Sequence, residues 1–181
     1  MRAKMQPLQV RADVMPRTDM NRKELIQDIE TAFKGVLLKD GIGIYQAEAL
    51  DNYANEVVIE KERDRDRTSW VRWQDIPDEI IDRYYSVLCF VDPSGMKFLL
   101  PANMRFTLKN YDITNSASLD STIYALDRGL EGFGNDSNIL SDKQKSAIAK
   151  FLKYMVLEVG EKYVDSSAAS RAYEQHWSKH D

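Results

Sequence analysis

Apolar positions along this chain recur mostly at helical spacing. Leu25, Ile26, Ile29, Phe33 and Val36 fall at i, i+1, i+4, i+8 and i+11, which predicts a helix over about 22–36 with Asn21 as its cap. Lys39-Asp40-Gly41 and Gly43 break it. A second helix is predicted from Tyr45 into the sixties, with Ala47, Leu50, Tyr53, Ala54, Val57 and Val58 as its apolar stripe. Its tail, Glu60-Lys61-Glu62-Arg63-Asp64-Arg65-Asp66-Arg67, carries no apolar residue. Such a run is either a solvated helix end stitched by opposite charges or a mobile loop. Trp70 and Trp73 follow, and Pro77 is placed to open a short helix with Ile80, Ile81 and Tyr84 inward.

The pattern changes at 86–100. Val87-Leu88-Cys89-Phe90-Val91 and Met96-Lys97-Phe98-Leu99-Leu100 flank Asp92-Pro93-Ser94-Gly95. Asp, Pro and Gly stand there at the positions a type I turn prefers, so the segment reads as an antiparallel β-hairpin ended by Pro101. Strands apolar on both faces call for helices over at least one side. Helical spacing then resumes over 102–110 and over 119–128, the latter capped by Ser118. Gly129, Gly132 and Gly134 make a loop. Ser141 and Gln144 form a capping box before the stripe Ile148, Phe151, Leu152, Met155 and Val159. A last helix is predicted over about 168–179. The expected class is α+β, with about six helices around one hairpin. The expected organisation is a basic arm at 1–20, a single domain at 21–160 and a helical extension at 161–181.

Composition narrows the function classes. A chain of 181 residues with a hydrophobic fraction of 43% can bury a core without staples. Cys89 is the one cysteine, so a disulfide framework is excluded and a reducing, cytoplasmic setting is expected. The net charge of −4 argues against nucleic acid as the main ligand. Arg2, Lys4, Arg11 and Arg17 make the arm locally basic. It lacks the apolar run of a secretory signal, and no stretch approaches the ~20 apolar residues of a membrane span.

Candidate chemistry is sparse. His176 and His180 share a helix face at i, i+4, but the only third ligands nearby are Glu174 and Asp181 in a tail expected to fray, so no metal is expected. Asp64 and Asp66 alternate with Arg63, Arg65 and Arg67, which neutralises them as cation ligands. The glycines at 129, 132 and 134 follow a helix, whereas phosphate-cradling loops leave a strand. Cys89 lies among apolar neighbours as a small core residue. Two histidines near the C-terminus cannot build a nucleophilic triad with scattered serines. Neither a catalytic residue nor a cofactor is expected. Trp70 and Trp73, beside the charge run, read as lids over a core or as interface anchors. With Asp64 and Asp66 they form the candidate partner-binding set.

Three stretches carry a resemblance. These are Trp73-Gln74-Asp75-Ile76-Pro77, then Phe90-x-Asp92-Pro93-x-Gly95-Met96-x-Phe98-x-Leu100-Pro101-Ala102-x-Met104, then Leu140-Ser141-x-x-Gln144 with Phe151-Leu152. Over roughly Glu24 to Tyr154 the chain resembles an uncharacterised bacterial domain family marked by a hairpin ending in Leu-Pro-Ala. The resemblance implies a shared fold and no catalytic role. The expected function is therefore a non-enzymatic protein-binding domain, an immunity or regulatory partner that meets another protein such as a basic toxin or nuclease. The alternative is a hydrolase with carboxylates assembled across helices. Neither nucleic acid nor membrane is an expected partner, and self-association would run through the arm or the last helix.

Overall fold

Asn21 opens the first helix, α1 (Arg22–Ala32), by a reciprocal box. Its side chain accepts from the Glu24 N–H at 2.9 Å, and Glu24 reaches back to the Asn21 N–H. The computed structural model describes residues 21–181, and the basic arm expected at 1–20 lies outside the described residues. Beyond α1 the chain forms α2 (Ile44–Asp51), α3 (Glu56–Ser69), α4 (Asp78–Arg83), α5 (Pro93–Asn110), α6 (Ser118–Asp127), α7 (Asp142–Tyr154) and α8 (Ser166–Ala172). Short 3-10 turns join several of them, and π turns at Met155–Val159 and Tyr173–Trp177 prolong α7 and α8. The fold is all-helical, with no strand among the described residues.

The expected hairpin, and with it the α+β class, is therefore corrected. Val87–Cys89 is a 3-10 turn, and Asp92 begins a helix of 18 residues instead of turning the chain back. A type I turn and the first turn of a helix share nearly the same dihedrals, so Asp, Pro and Gly at these offsets suit both. Asp92 is the helix cap, and Pro93 occupies the first turn, where its missing N–H costs nothing. One Asp92 carboxylate oxygen accepts from the Gly95 N–H and from the Ile42 N–H, each at 2.8 Å. Gly95 is required by the second contact, since a Cβ there would stand 2.1 Å from the Ile42 carbonyl oxygen.

α5 is apolar all round because it is surrounded. Every residue from Gly95 to Leu108 except Lys97 is buried, with α1 and α6 packed along it. Pro101, expected to end a strand, lies inside this helix. Asn103 and Thr107 bond within the helix, while Arg105 bonds to a distant turn and its Nε is buried without a partner among the described residues. Asn103 donates to the Leu99 carbonyl at 3.0 Å and Thr107 to the Asn103 carbonyl at 3.0 Å. Arg105 donates to the carbonyls of Gln74 and Ile76, both at 2.9 Å, and so pins the Trp73–Asp75 turn to the helix.

α7 packs on α1, and α8 closes against α6 and α7. The Ser141–Gln144 capping box forms as the sequence predicts. Ser118 does not cap α6. Its hydroxyl donates to the Ile81 carbonyl at 2.7 Å, tying α6 to α4. The segment after Gly160 shares the same core. Ala168, Ala169 and Ala172 are fully buried, and the Trp177 indole N–H donates to the Leu126 carbonyl at 2.9 Å. Among the described residues no helix is long and apolar enough to cross a membrane.

Candidate functional site

The single second helix expected from Tyr45 into the sixties is two helices folded back on each other. α2 ends in a double hydrogen-bonded turn: the Ala54 N–H reaches the Ala49 carbonyl at 2.9 Å and the Tyr53 N–H reaches Leu50 at 3.1 Å. Tyr53 takes the left-handed position of that turn at φ 52°, a place that glycine normally fills. Asn55 then caps α3 by accepting from the Val58 N–H at 3.1 Å. The charge run is helical throughout and paired along its length: Arg65 meets Glu62 at 3.1 Å, Arg63 meets Glu60 at 3.7 Å, and Arg67 meets Asp64 at 3.8 Å. α3 packs chiefly on α2, and α2 packs on the body through the Val87–Cys89 turn.

Asp66 fastens the pair. It is 2% exposed, and its carboxylate oxygens accept from the backbone N–H groups of Tyr45 at 3.0 Å and Gln46 at 2.8 Å, capping α2 from another helix. Gly43 leaves room for it, since a Cβ there would lie 2.3 Å from the Asp66 carboxyl carbon. Burial holds the Asp66 carboxyl above its ordinary range, against the pull of the two N–H donors. Arg65 adds its guanidinium over the Tyr45 ring at 3.5 Å, and Arg67 reaches Asp40 at 2.9 Å.

The four candidate partner-binding residues thus lie in different surroundings. Trp73 is fully buried, its indole N–H donating to the Phe33 carbonyl at 3.0 Å, and Asp66 is spent on α2. Trp70 is half-buried and stacks on Tyr45 with ring centroids 5.2 Å apart. Asp64 alone is openly exposed. Asp66 and Trp70 hold the hairpin together and Trp73 is buried in the body, so none of these three forms the hairpin's outer face. What the hairpin presents is Tyr53, 95% exposed, with Val57, 77% exposed, on the first turn of α3. The sequence reading assigned both to an inward stripe. The signal against that was Asn52 and Asn55, which bracket Tyr53 as turn and cap residues do.

The other surface features are plainer. Cys89, expected in the core, is exposed. His176 packs over Gly129, and His180 is tilted against Trp177 with ring centroids 6.4 Å apart. Among the described residues no three His, Cys, Asp or Glu side chains are grouped to hold a metal. A cavity of about 460 Å3 between α1 and α7 gathers Asp28, Asp142 and His180, but Asp28 is engaged by Lys150 at 2.8 Å. Burial, with Lys145 and Lys179 nearby, holds the His180 imidazole below its ordinary 6.5.

Residues 21–181 match the model of a family of unknown function (DUF6714). The match takes in the segment after Gly160, which the Leu-Pro-Ala resemblance left out. No curated protein and no solved structure matches the chain. The chain belongs to that family of unknown function.

Proposed function

We propose that this family member is a non-enzymatic protein-binding domain whose contact surface is the outer end of the α2–α3 hairpin. One observation carries the reading. A tyrosine occupies a left-handed position where glycine is favoured, and its ring is 95% exposed. A left-handed non-glycine residue costs about 1–2 kcal/mol, and here no burial of the ring offsets it. An exposed aromatic whose backbone is fixed at a helix terminus is the kind of anchor that dominates interfaces. Val57 extends the apolar centre, and the paired charges from Glu60 to Arg67 form a polar rim that orients without strong net attraction.

The occupant that fits is a folded protein offering an apolar pocket to Tyr53. A basic toxin or nuclease is a narrower version supported only by the net charge of −4. The hydrolase alternative gains no comparable support, because Asp28, a carboxylate in the cavity between α1 and α7, is engaged by a lysine.

The test is photocrosslinking from position 53 in the native host, followed by titration of the captured protein with purified wild type and Tyr53→Ala. The proposal predicts saturable binding that weakens by about tenfold or more in the variant at an unchanged melting temperature. Equal affinity for both proteins would remove Tyr53 and the hairpin from the interface.

A further inference from the structure

A cavity beside the start of α5 has a charge that runs against the composition of the chain. It encloses about 500 Å3 between the segment after α1, the first turn of α5 and the loop before α7. Lys34, Lys39 and Lys97 line it, and no carboxylate does, although the chain as a whole carries −4. None of the three amines has an ion-pair partner among the described residues. Lys97 is held in place by donating to the Ile139 carbonyl at 2.6 Å, which leaves its two other protons free. Lys39 takes a left-handed backbone at φ 53°, where glycine or asparagine would be less strained.

Ser94 adds neutral donors. It is an exposed residue in the first turn of α5, and its N–H has no backbone or side-chain acceptor among the described residues. Gly41 brings the turn that carries Lys39 against this helix start, since a Cβ on Gly41 would stand 2.8 Å from both the Gly95 nitrogen and the Ser94 Cβ. Three lysines and Ser94 therefore line one space. Val36, Leu37 and Ile139 supply an apolar wall on it.

We infer that this cavity binds a small phosphate monoester, with the phosphate among Lys34, Lys39, Lys97 and the start of α5, and the organic body against Val36, Leu37 and Ile139. A dianion gains charge-assisted bonds from each amine, and a volume of this size exceeds what inorganic phosphate needs. The inference is independent of the hairpin, because it uses none of its residues.

The experiment is titration of the full chain by two-dimensional NMR with inorganic phosphate and with phenyl phosphate, at ionic strength matched with chloride. The expected result is saturable shifts at Ser94 and Lys39 with both probes, tighter with phenyl phosphate, and none with chloride. The double variant Lys34→Gln/Lys39→Gln keeps the unliganded melting temperature, because both side chains are exposed, and loses affinity by about tenfold or more. Three results overturn the inference: no saturation in the wild type, equal affinity in the variant, or shifts that chloride reproduces. Equal affinity for the two probes overturns the ester assignment.

Discussion

Asp66 shows how one carboxylate can decide a local architecture. Two α2 N–H groups lack helical partners, and a buried acceptor from α3 satisfies both. Asp66→Ala leaves those donors buried and unpaired, so chemical denaturation should show a loss of about 2 kcal/mol. The pH dependence has a definite sign. Because burial raises the folded-state pKa, the folded protein keeps a proton that the unfolded chain has released. Stability from this group therefore falls as pH climbs from the ordinary carboxylate value through the raised one, and Asp66→Ala should flatten that slope. Tyr53 predicts an opposite kind of outcome. Tyr53→Gly relieves about 1–2 kcal/mol of left-handed strain and adds about 0.4–1 kcal/mol of unfolded-chain entropy. A net gain of about 0.5–1 kcal/mol is expected in stability, together with loss of binding. A melting temperature below wild type would mean that the ring is packed rather than presented. At His180 the imidazole stays neutral below the usual midpoint, so its NMR titration should centre below 6.5. Its contribution to stability is present above 6.5 and lost as pH falls through the folded value.

Helices α1, α4 and α7 were legible in the sequence because their signals are local. Asn21, Pro77, and Ser141 with Gln144 each announce a helix start; Ser141 and Gln144 form the box they predict, and Asn21 caps α1 with Glu24 completing a box that was not anticipated. α5 was not legible in the same way. Residues 96–108 are apolar on every face, so periodicity cannot separate a buried strand from a buried helix. The helix expected over 102–110 is the C-terminal half of α5, and only the half before Pro101 was read as strand. The discriminating facts were the length of the run and its shortage of β-branched residues, Thr107 being the only one from 93 to 108. Burial differs accordingly between the two phenylalanines that a hairpin would have paired. Phe98 is 1% exposed, whereas Phe90 is half-buried beside the 3-10 turn. Phe98→Ala should cost about 3–5 kcal/mol and Phe90→Ala clearly less, as read from urea midpoints at constant slope. Equal losses would place both rings in one core layer and contradict the helix assignment.

At the scale of the whole molecule, a core built around α5 carries an outer hairpin that joins it through Ile44, Tyr45 and Ala47 of α2, while α3 buries only Asp66. The candidate site was half legible for that reason. Sequence located the region, since charge beside aromatics is visible in composition, but it could not tell which side chains the hairpin uses for itself. Asp66 and Trp73 turned inward through contacts 20 and 40 residues away in sequence, to Gln46 and Phe33, and such contacts leave no local spacing. The arrangement implies two levels of stability: an α5 core that opens only with global unfolding and a hairpin that opens separately. Amide hydrogen exchange tests this most directly, comparing wild type with Asp66→Ala. The account predicts slow exchange at Tyr45 and Gln46 in the wild type, loss of that protection through α2 and α3 in the variant, and unchanged protection from Phe98 to Leu108. Fast exchange at Tyr45 and Gln46 in the wild type, or an even loss of protection across α5 and the hairpin together, would contradict it.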